Sequence, residues 1–202
     1  MERPRQYVSF PHLQPFFPYL FDIIVTWGTL DVEIERYRKA IAQQPGLKTK
    51  LGDDSRFKRR LSNFEALCGE YFASAPAFGK FLSHEINGIR DIQEDRDLIA
   101  HGLYGAHGDG KIVRLVLYGL NLSGAHQQKE YTLEEIKAVS DDIGWYLFVT
   151  SIFGSWSADA LANVLMEHCS VPRSQVSEVQ RLLSPIQATP PLLPSTTPER
   201  SA

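Results

Sequence analysis

Residues 77–101 read AFGKFLSHEINGIRDIQEDRDLIAH, and their apolar positions carry a clear structural signal. The apolar side chains recur every three or four positions, as Phe78, Leu82, Ile86, Ile89 and Ile92. This spacing places them on one face of an α-helix. Pro76 precedes the stretch and Gly102 follows it, and both residues are typical of helix boundaries. We therefore predict a helix over 77–101.

Three more helical stretches are predicted around this one. Apolar residues keep the same spacing over 19–43, before Pro45-Gly46, and again over 57–71. The fourth stretch starts at Thr132-Leu133-Glu134-Glu135, a capping box in which the Thr oxygen accepts from the Glu135 amide while that carboxylate reaches back. It is predicted to run to about 168, and Gly144 and Gly154 are the positions where it can bend.

A loop and a β-hairpin are predicted between the third and fourth stretches. The spacing Gly105-x-x-Gly108-x-Gly110 predicts a flexible loop rather than a phosphate loop, because no strand precedes it and no Lys-Ser/Thr follows. Apolar and β-branched residues over 112–117 predict a strand, with a partner at 129–131. The expected fold class is mainly α: an antiparallel four-helix bundle with a small β-hairpin insertion before the last long helix.

The chain changes character after Val171. Six of its 12 prolines lie between Pro172 and Pro198, and only a short piece around 176–183 is amphipathic. We therefore expect a helical domain over 1–170 and a Pro-rich tail over 171–202 that is largely disordered.

Composition narrows the class of protein. A formal net charge of −3 argues against a general nucleic-acid coat, which would be visibly basic. Two cysteines do not make a disulfide framework, and no signal peptide is visible, so we expect a soluble cytoplasmic protein. The apolar stretch over 16–25 is too short to span a bilayer, and no membrane association is expected.

The end of the third helix carries the candidate chemistry. Arg96 interrupts the apolar stripe, and a half-buried guanidinium is costly unless it has a partner such as Glu85, Asp91 or a distant carboxylate. Asp97 lies four residues before His101, where it could orient the imidazole. On an ideal helix Arg96 and His101 diverge by about 140°. They converge only if the last turn unwinds at Gly102, or if two copies of the motif meet across a dimer axis. The simpler alternative is that His101 only caps the helix and that Arg96 only forms a structural ion pair.

Arg96-Asp97-x-x-x-His101 resembles the Arg-polar-x-x-x-His motif of HEPN domains (higher eukaryotes and prokaryotes nucleotide-binding). The motif's place late in a helix, before a glycine-bearing loop, a hairpin and a Thr-capped helix, is similar as well, over about residues 15–168. The resemblance implies an all-α homodimer whose two motifs line one cleft, and a metal-independent endoribonuclease of toxin or defence type. Arg96 would hold the scissile phosphate, His101 would be the general acid and base, and Asp97 would occupy the polar position of the motif. The alternative that the resemblance allows is a non-catalytic module that binds a nucleotide or a protein.

Other candidate residues surround this motif. Lys58, Arg59 and Arg60 end the densest basic run, which could follow an RNA backbone or could simply be a solvated helix face. Tyr104 and His107 are candidate RNA contacts in the cleft. The histidines and Asp109 match no zinc spacing, so no metal and no cofactor is expected. The expected partners are RNA, a second copy of the chain, and an antitoxin or regulatory protein held by the Pro-rich tail.

Overall fold

The computed structural model describes residues 11–52, 55–108, 113–120 and 126–188. Within these ranges the chain forms one 3-10 helix, Pro11–Leu13, and six α-helices with three strands. In chain order they are α1 (Phe17–Ala42), α2 (Phe57–Tyr71), α3 (Pro76–His101), β1 (Leu103–Gly108), β2 (Val113–Leu120), β3 (His126–Tyr131), α4 (Leu133–Ser151), α5 (Ala158–Glu167) and α6 (Arg173–Gln187). The expected mainly helical class with a small antiparallel sheet is confirmed.

The helix predictions hold to within about two residues for α1, α2 and α3. The long fourth stretch divides into α4 and α5 at Gly154, while α4 continues through Gly144. The predicted capping box is present, because Glu135 N–H donates to Thr132 Oγ1 at 3.2 Å and Thr132 N–H donates to Glu135 Oε2 at 2.7 Å. Ser157 starts α5 by accepting from Ala160 N–H.

The sheet is antiparallel in the order β1-β2-β3. The predicted hairpin corresponds to β2 and β3, in which Leu115 pairs with Tyr131 and Leu117 with Lys129. The flexible loop predicted from the glycine spacing is wrong for Leu103–Gly108, which pairs with β2 as the strand β1. Pairing with an apolar strand outweighs the weak β propensity of the glycines. Asp109 and Gly110 lie outside the described residues.

The chain divides into two compact units. The first contains residues up to Leu30 together with Gly88–Leu147, and so holds the sheet, the end of α3 and most of α4. Its core is built from apolar side chains of all these elements. They include Leu20, Ile23, Trp27, Leu30, Ile89, Ile92, Ile99, Leu115, Leu117, Ile136 and Ile143.

The second unit contains Asp31–Asn87 and the residues from Phe148 onward. Phe153 lies at the centre of its aromatic core, with ring-centre distances of 5.2 to 6.4 Å to its neighbours. These neighbours are Tyr37, Phe64, Phe72 and Phe78.

Helix α6 corrects the expectation of a largely disordered tail from residue 171. Arg173–Gln187 is helical and buries an apolar face, because the amphipathic spacing seen over 176–183 continues to Ile186. Tyr71 Oη–H donates to the Leu182 carbonyl at 2.8 Å, which ties α6 to α2. Residues 189–202 lie outside the described residues. Among the helices that are described, none is both long and apolar enough to cross a membrane.

Candidate functional site

Helix α3 stays regular through the Arg-x4-His motif. The Gly102 N–H donates to the Leu98 carbonyl at 2.8 Å, and Leu98 and Ile99 are buried. The expected alternative in which the last turn unwinds at Gly102 is therefore wrong. At about 100° per residue, Arg96 and His101 diverge by about 140° around the helix. The Cα–Cβ bonds of the two residues thus leave the helix in different directions.

Arg96 is held between an aromatic ring and a carboxylate. Its guanidinium carbon lies 5.2 Å from the ring centre of the buried Trp27, an arrangement that stabilises a cation. Its Nη1–H donates to Asp97 Oδ1 at 2.8 Å. The side chain keeps 24% of its surface exposed. Within the part of the chain that the structure describes, the buried Nε has no hydrogen-bond partner. The ion-pair partner is therefore the adjacent Asp97.

His101 is exposed at the last position of α3. The predicted orientation of its ring by Asp97 is not seen, since the Asp97 carboxylate instead accepts from Arg96. An exposed imidazole is reachable by a ligand.

Tyr104 lies just beyond the motif, on β1. Its Oη–H donates to the Ile99 carbonyl, one of the carbonyls that the helix end leaves without an intrahelical partner. Partial burial raises the pKa of the Tyr104 hydroxyl. The residue remains 36% exposed beside the end of α3.

Asp95 links α3 to β3. Its carboxylate accepts from the Lys129 ammonium and, at 2.8 Å, from Tyr131 Oη–H. Burial and the neighbouring Asp95 carboxylate both raise the pKa of Tyr131. Because Lys129 neutralises Asp95, one of the negative charges next to the motif is compensated.

The candidate basic run belongs to the second unit, whereas Arg96 and His101 belong to the first. Lys58 and Arg59 are exposed. Arg60 is instead committed within the protein: its Nη2–H groups donate to the two Asp31 oxygens at 2.5 and 2.7 Å, and Nη1–H donates to the Ser55 carbonyl at 2.7 Å. This geometry leaves Lys58 and Arg59 as the candidate RNA contacts of that run.

His107 lies on β1, where its Cα pairs with that of Arg114, and its side chain is outside what the structure describes. Over the described ranges, no group of three His, Cys, Asp or Glu residues is arranged to hold a metal ion.

Sequence reasoning missed Trp27 as the neighbour of Arg96 and the Asp95–Tyr131 bond. Trp27 belongs to the apolar stripe of α1, and no spacing rule connects that stripe to a position near the end of α3. Comparison with known proteins found no family model, no curated protein and no solved structure that matches this chain. The functional argument therefore depends on the motif and its neighbours.

Proposed function

We propose that this chain is a HEPN-like, metal-independent endoribonuclease that acts as a homodimer in a toxin or defence system. The observation that carries the proposal is the state of Arg96. Trp27 and Asp97 hold its guanidinium in place, yet among the described residues only one of its five N–H donors is engaged. A fixed, partly exposed guanidinium with unused donors suits a phosphate.

The proposed fold assigns α1, α2, α3 and α4 to the four helices of the HEPN bundle. The sheet is then the insertion before the last long helix, and α5 and α6 are additions to the bundle. In this assignment the motif ends the third helix and Thr132 caps the fourth, as the resemblance implies.

The proposed chemistry starts with attack of a ribose 2′-oxygen on the adjacent phosphorus. The imidazole of one His101 accepts the 2′-hydroxyl proton as the new O2′–P bond forms. The P–O5′ bond breaks, and an imidazolium delivers a proton to the leaving 5′-oxygen. Arg96 stabilises the negative charge on the non-bridging oxygens. The products are a 2′,3′-cyclic phosphate and a 5′-hydroxyl end.

Two copies of the chain are needed for this reaction. Because Arg96 and His101 diverge by about 140° on one helix, a phosphate held by one Arg96 would meet the His101 of a second copy. Lys58 and Arg59 would contact the RNA backbone away from the reacting atoms, and Tyr104 and His107 would contact it near them.

The test is cleavage of a labelled RNA by purified protein in EDTA. We expect wild-type protein to produce 2′,3′-cyclic phosphate ends and to leave the same substrate intact when its 2′-hydroxyls are replaced by hydrogen. His101→Ala should lower the rate by at least about 100-fold, the usual contribution of an acid–base residue. His84→Ala is the matched control, because His84 is also exposed on α3.

Arg96→Lys tests the proposed role of Arg96 in binding the phosphate. A lysine keeps the charge but loses the guanidinium fork, so we expect cleavage to fall while the fold, measured by circular dichroism, stays intact. Cleavage that persists in both His101→Ala and Arg96→Lys would reject the proposal.

The Arg96–Asp97 ion pair favours a second candidate, the non-catalytic binding module. The Asp97 carboxylate already compensates the Arg96 charge, as it would in a purely structural pair. In that case the wild-type protein would leave RNA intact in EDTA and with divalent ions, and Asp97→Asn would strengthen nucleotide binding measured by calorimetry.

A further inference from the structure

Helix α1 exposes an apolar stripe on the side that faces away from its own core. The exposed fractions are 49% for Phe17, 71% for Phe21, 43% for Ile24 and 49% for Val25. Together with the exposed Gly28, these positions fall within an arc of about 100° around the helix. The buried side chains of the same segment, such as Ile23 and Leu30, lie on the other side. A soluble monomer seldom leaves two phenylalanines and two branched aliphatic residues exposed together.

The stripe carries almost no charge. Asp22 is the one charged residue between Phe17 and Leu30. Its carboxylate accepts hydrogen bonds from Ser140 and from Thr26, the latter at 3.2 Å. A charge-depleted apolar centre is the composition expected of an interface core rather than of solvated surface.

The order of side chains along the stripe is self-complementary. An ideal two-fold axis between positions 24 and 25 places a second, antiparallel α1 with Phe21 opposite Gly28 and Ile24 opposite Val25. An added Cβ at Gly28 would meet nothing within 4 Å, so the space above this glycine is open. The largest exposed side chain of one copy therefore faces the smallest residue of the other, on both sides of the axis.

We propose that the stripe formed by Phe17, Phe21, Ile24, Val25 and Gly28 is the surface through which two copies of this chain associate. Its four side chains expose roughly 400 Å² per copy, about half of the 800 Å² that each partner contributes to a stable interface. The stripe thus forms the apolar centre, and surrounding polar surface forms the rim. A two-fold pairing also supplies the second motif that the divergence of Arg96 and His101 requires, and in this respect alone the inference rests on the proposed function.

The experiment measures mass in solution by sedimentation velocity at micromolar concentrations, without RNA. We expect the wild-type chain to sediment with twice its mass of 22.8 kDa. Phe21→Asp should raise the dimer dissociation constant at least about 30-fold, because each dimer loses two central side chains. Met166→Asp is the matched control, since Met166 is an exposed apolar residue on α5, and it should remain dimeric.

Gly28→Leu is the second variant. Nothing lies near an added Cβ in the single chain, so the helix content and melting of the monomer should be retained, while the leucine occupies the space of the partner's Phe21. We expect this variant to be monomeric.

A wild-type monomer, or dimers that persist in both Phe21→Asp and Gly28→Leu, would overturn the inference. The readout separates the two proposals because it requires no cleavage. Dimers that depend on Phe21 in a protein without ribonuclease activity would support this surface and reject the proposed function. Cleavage by a protein whose dimer does not depend on Phe21 would support the proposed function and reject this surface.

Discussion

The guanidinium carbon of Arg96 lies 5.2 Å from the ring centre of Trp27. Trp27 belongs to α1, which the sequence showed only as an apolar helix, and its ring is the surface against which the cation of the motif packs. Trp27 is almost fully buried, whereas Arg96 is partly exposed. The pair therefore explains how a basic side chain can occupy an inward-facing position of α3. Stacking on an indole stabilises the charge, and among the described residues only Asp97 accepts a hydrogen bond from this guanidinium.

A double-mutant cycle measures this stacking. We expect Trp27→Leu and Arg96→Met to be coupled by about 0.5–2 kcal/mol in the free energy of unfolding, the range of partly desolvated cation–π pairs. Urea denaturation of the four proteins gives the coupling. Strictly additive effects would show that Trp27 does not stabilise the Arg96 side chain.

Gly88 leaves room for the side chain of Tyr146, which reaches it from α4. A Cβ at this position would come within 2.8 Å of Tyr146 Cζ, too near for a real contact. We expect Gly88→Ala to lower the free energy of unfolding by about 1–3 kcal/mol, as overpacking does. Gly144→Ala is the control: Gly144 is exposed in α4, with nothing within 4 Å of an added Cβ. There alanine should stabilise the helix by about 0.5–1 kcal/mol. Equal effects at both sites would refute the close approach.

Tyr131 makes the free energy of unfolding depend on pH in the alkaline range. Burial and Asp95 raise its pKa in the folded protein above the ordinary value of about 10. The folded state therefore keeps a proton that the unfolded chain loses, and its contribution to stability is complete below pH 10 and declines as the pH rises further. We expect the free energy of unfolding to fall above pH 10 by up to about 1.4 kcal/mol per unit for this group.

Tyr131→Phe removes this group, so the variant should be less stable at pH 7, where the bond to Asp95 is lost, and should show a shallower decline above pH 10. Tyr37 and Tyr71 also have raised pKa values because burial disfavours their ionised forms, and the loss of stability that they cause above pH 10 remains in the variant. An unchanged slope in Tyr131→Phe would contradict the assignment to this residue.

Local signals in the sequence were sufficient for most helices. Phe78, Leu82 and Ile86 repeat at the helical period, and Thr132 with Glu135 forms a capping box, so both features depend on residues within a few positions of each other. The Arg-x4-His motif was visible in the sequence for the same reason, because its residues are also close together along the chain. The strand β1 was missed, because Gly105 and Gly108 favour a strand only when β2 lies beside them. For α6 the amphipathic spacing over 176–183 was visible, but the surrounding prolines favoured a largely disordered tail.

The sequence by itself determined the helical stretches, the capped start of α4 and the presence of an Arg-x4-His motif, since each is encoded by neighbours along the chain. The tertiary structure alone decided that Arg96 rests on Trp27, that Asp97 pairs with Arg96 rather than with His101, and that Arg60 is bound by Asp31. These contacts depend on which helix faces meet and at what distance, and no local spacing specifies that.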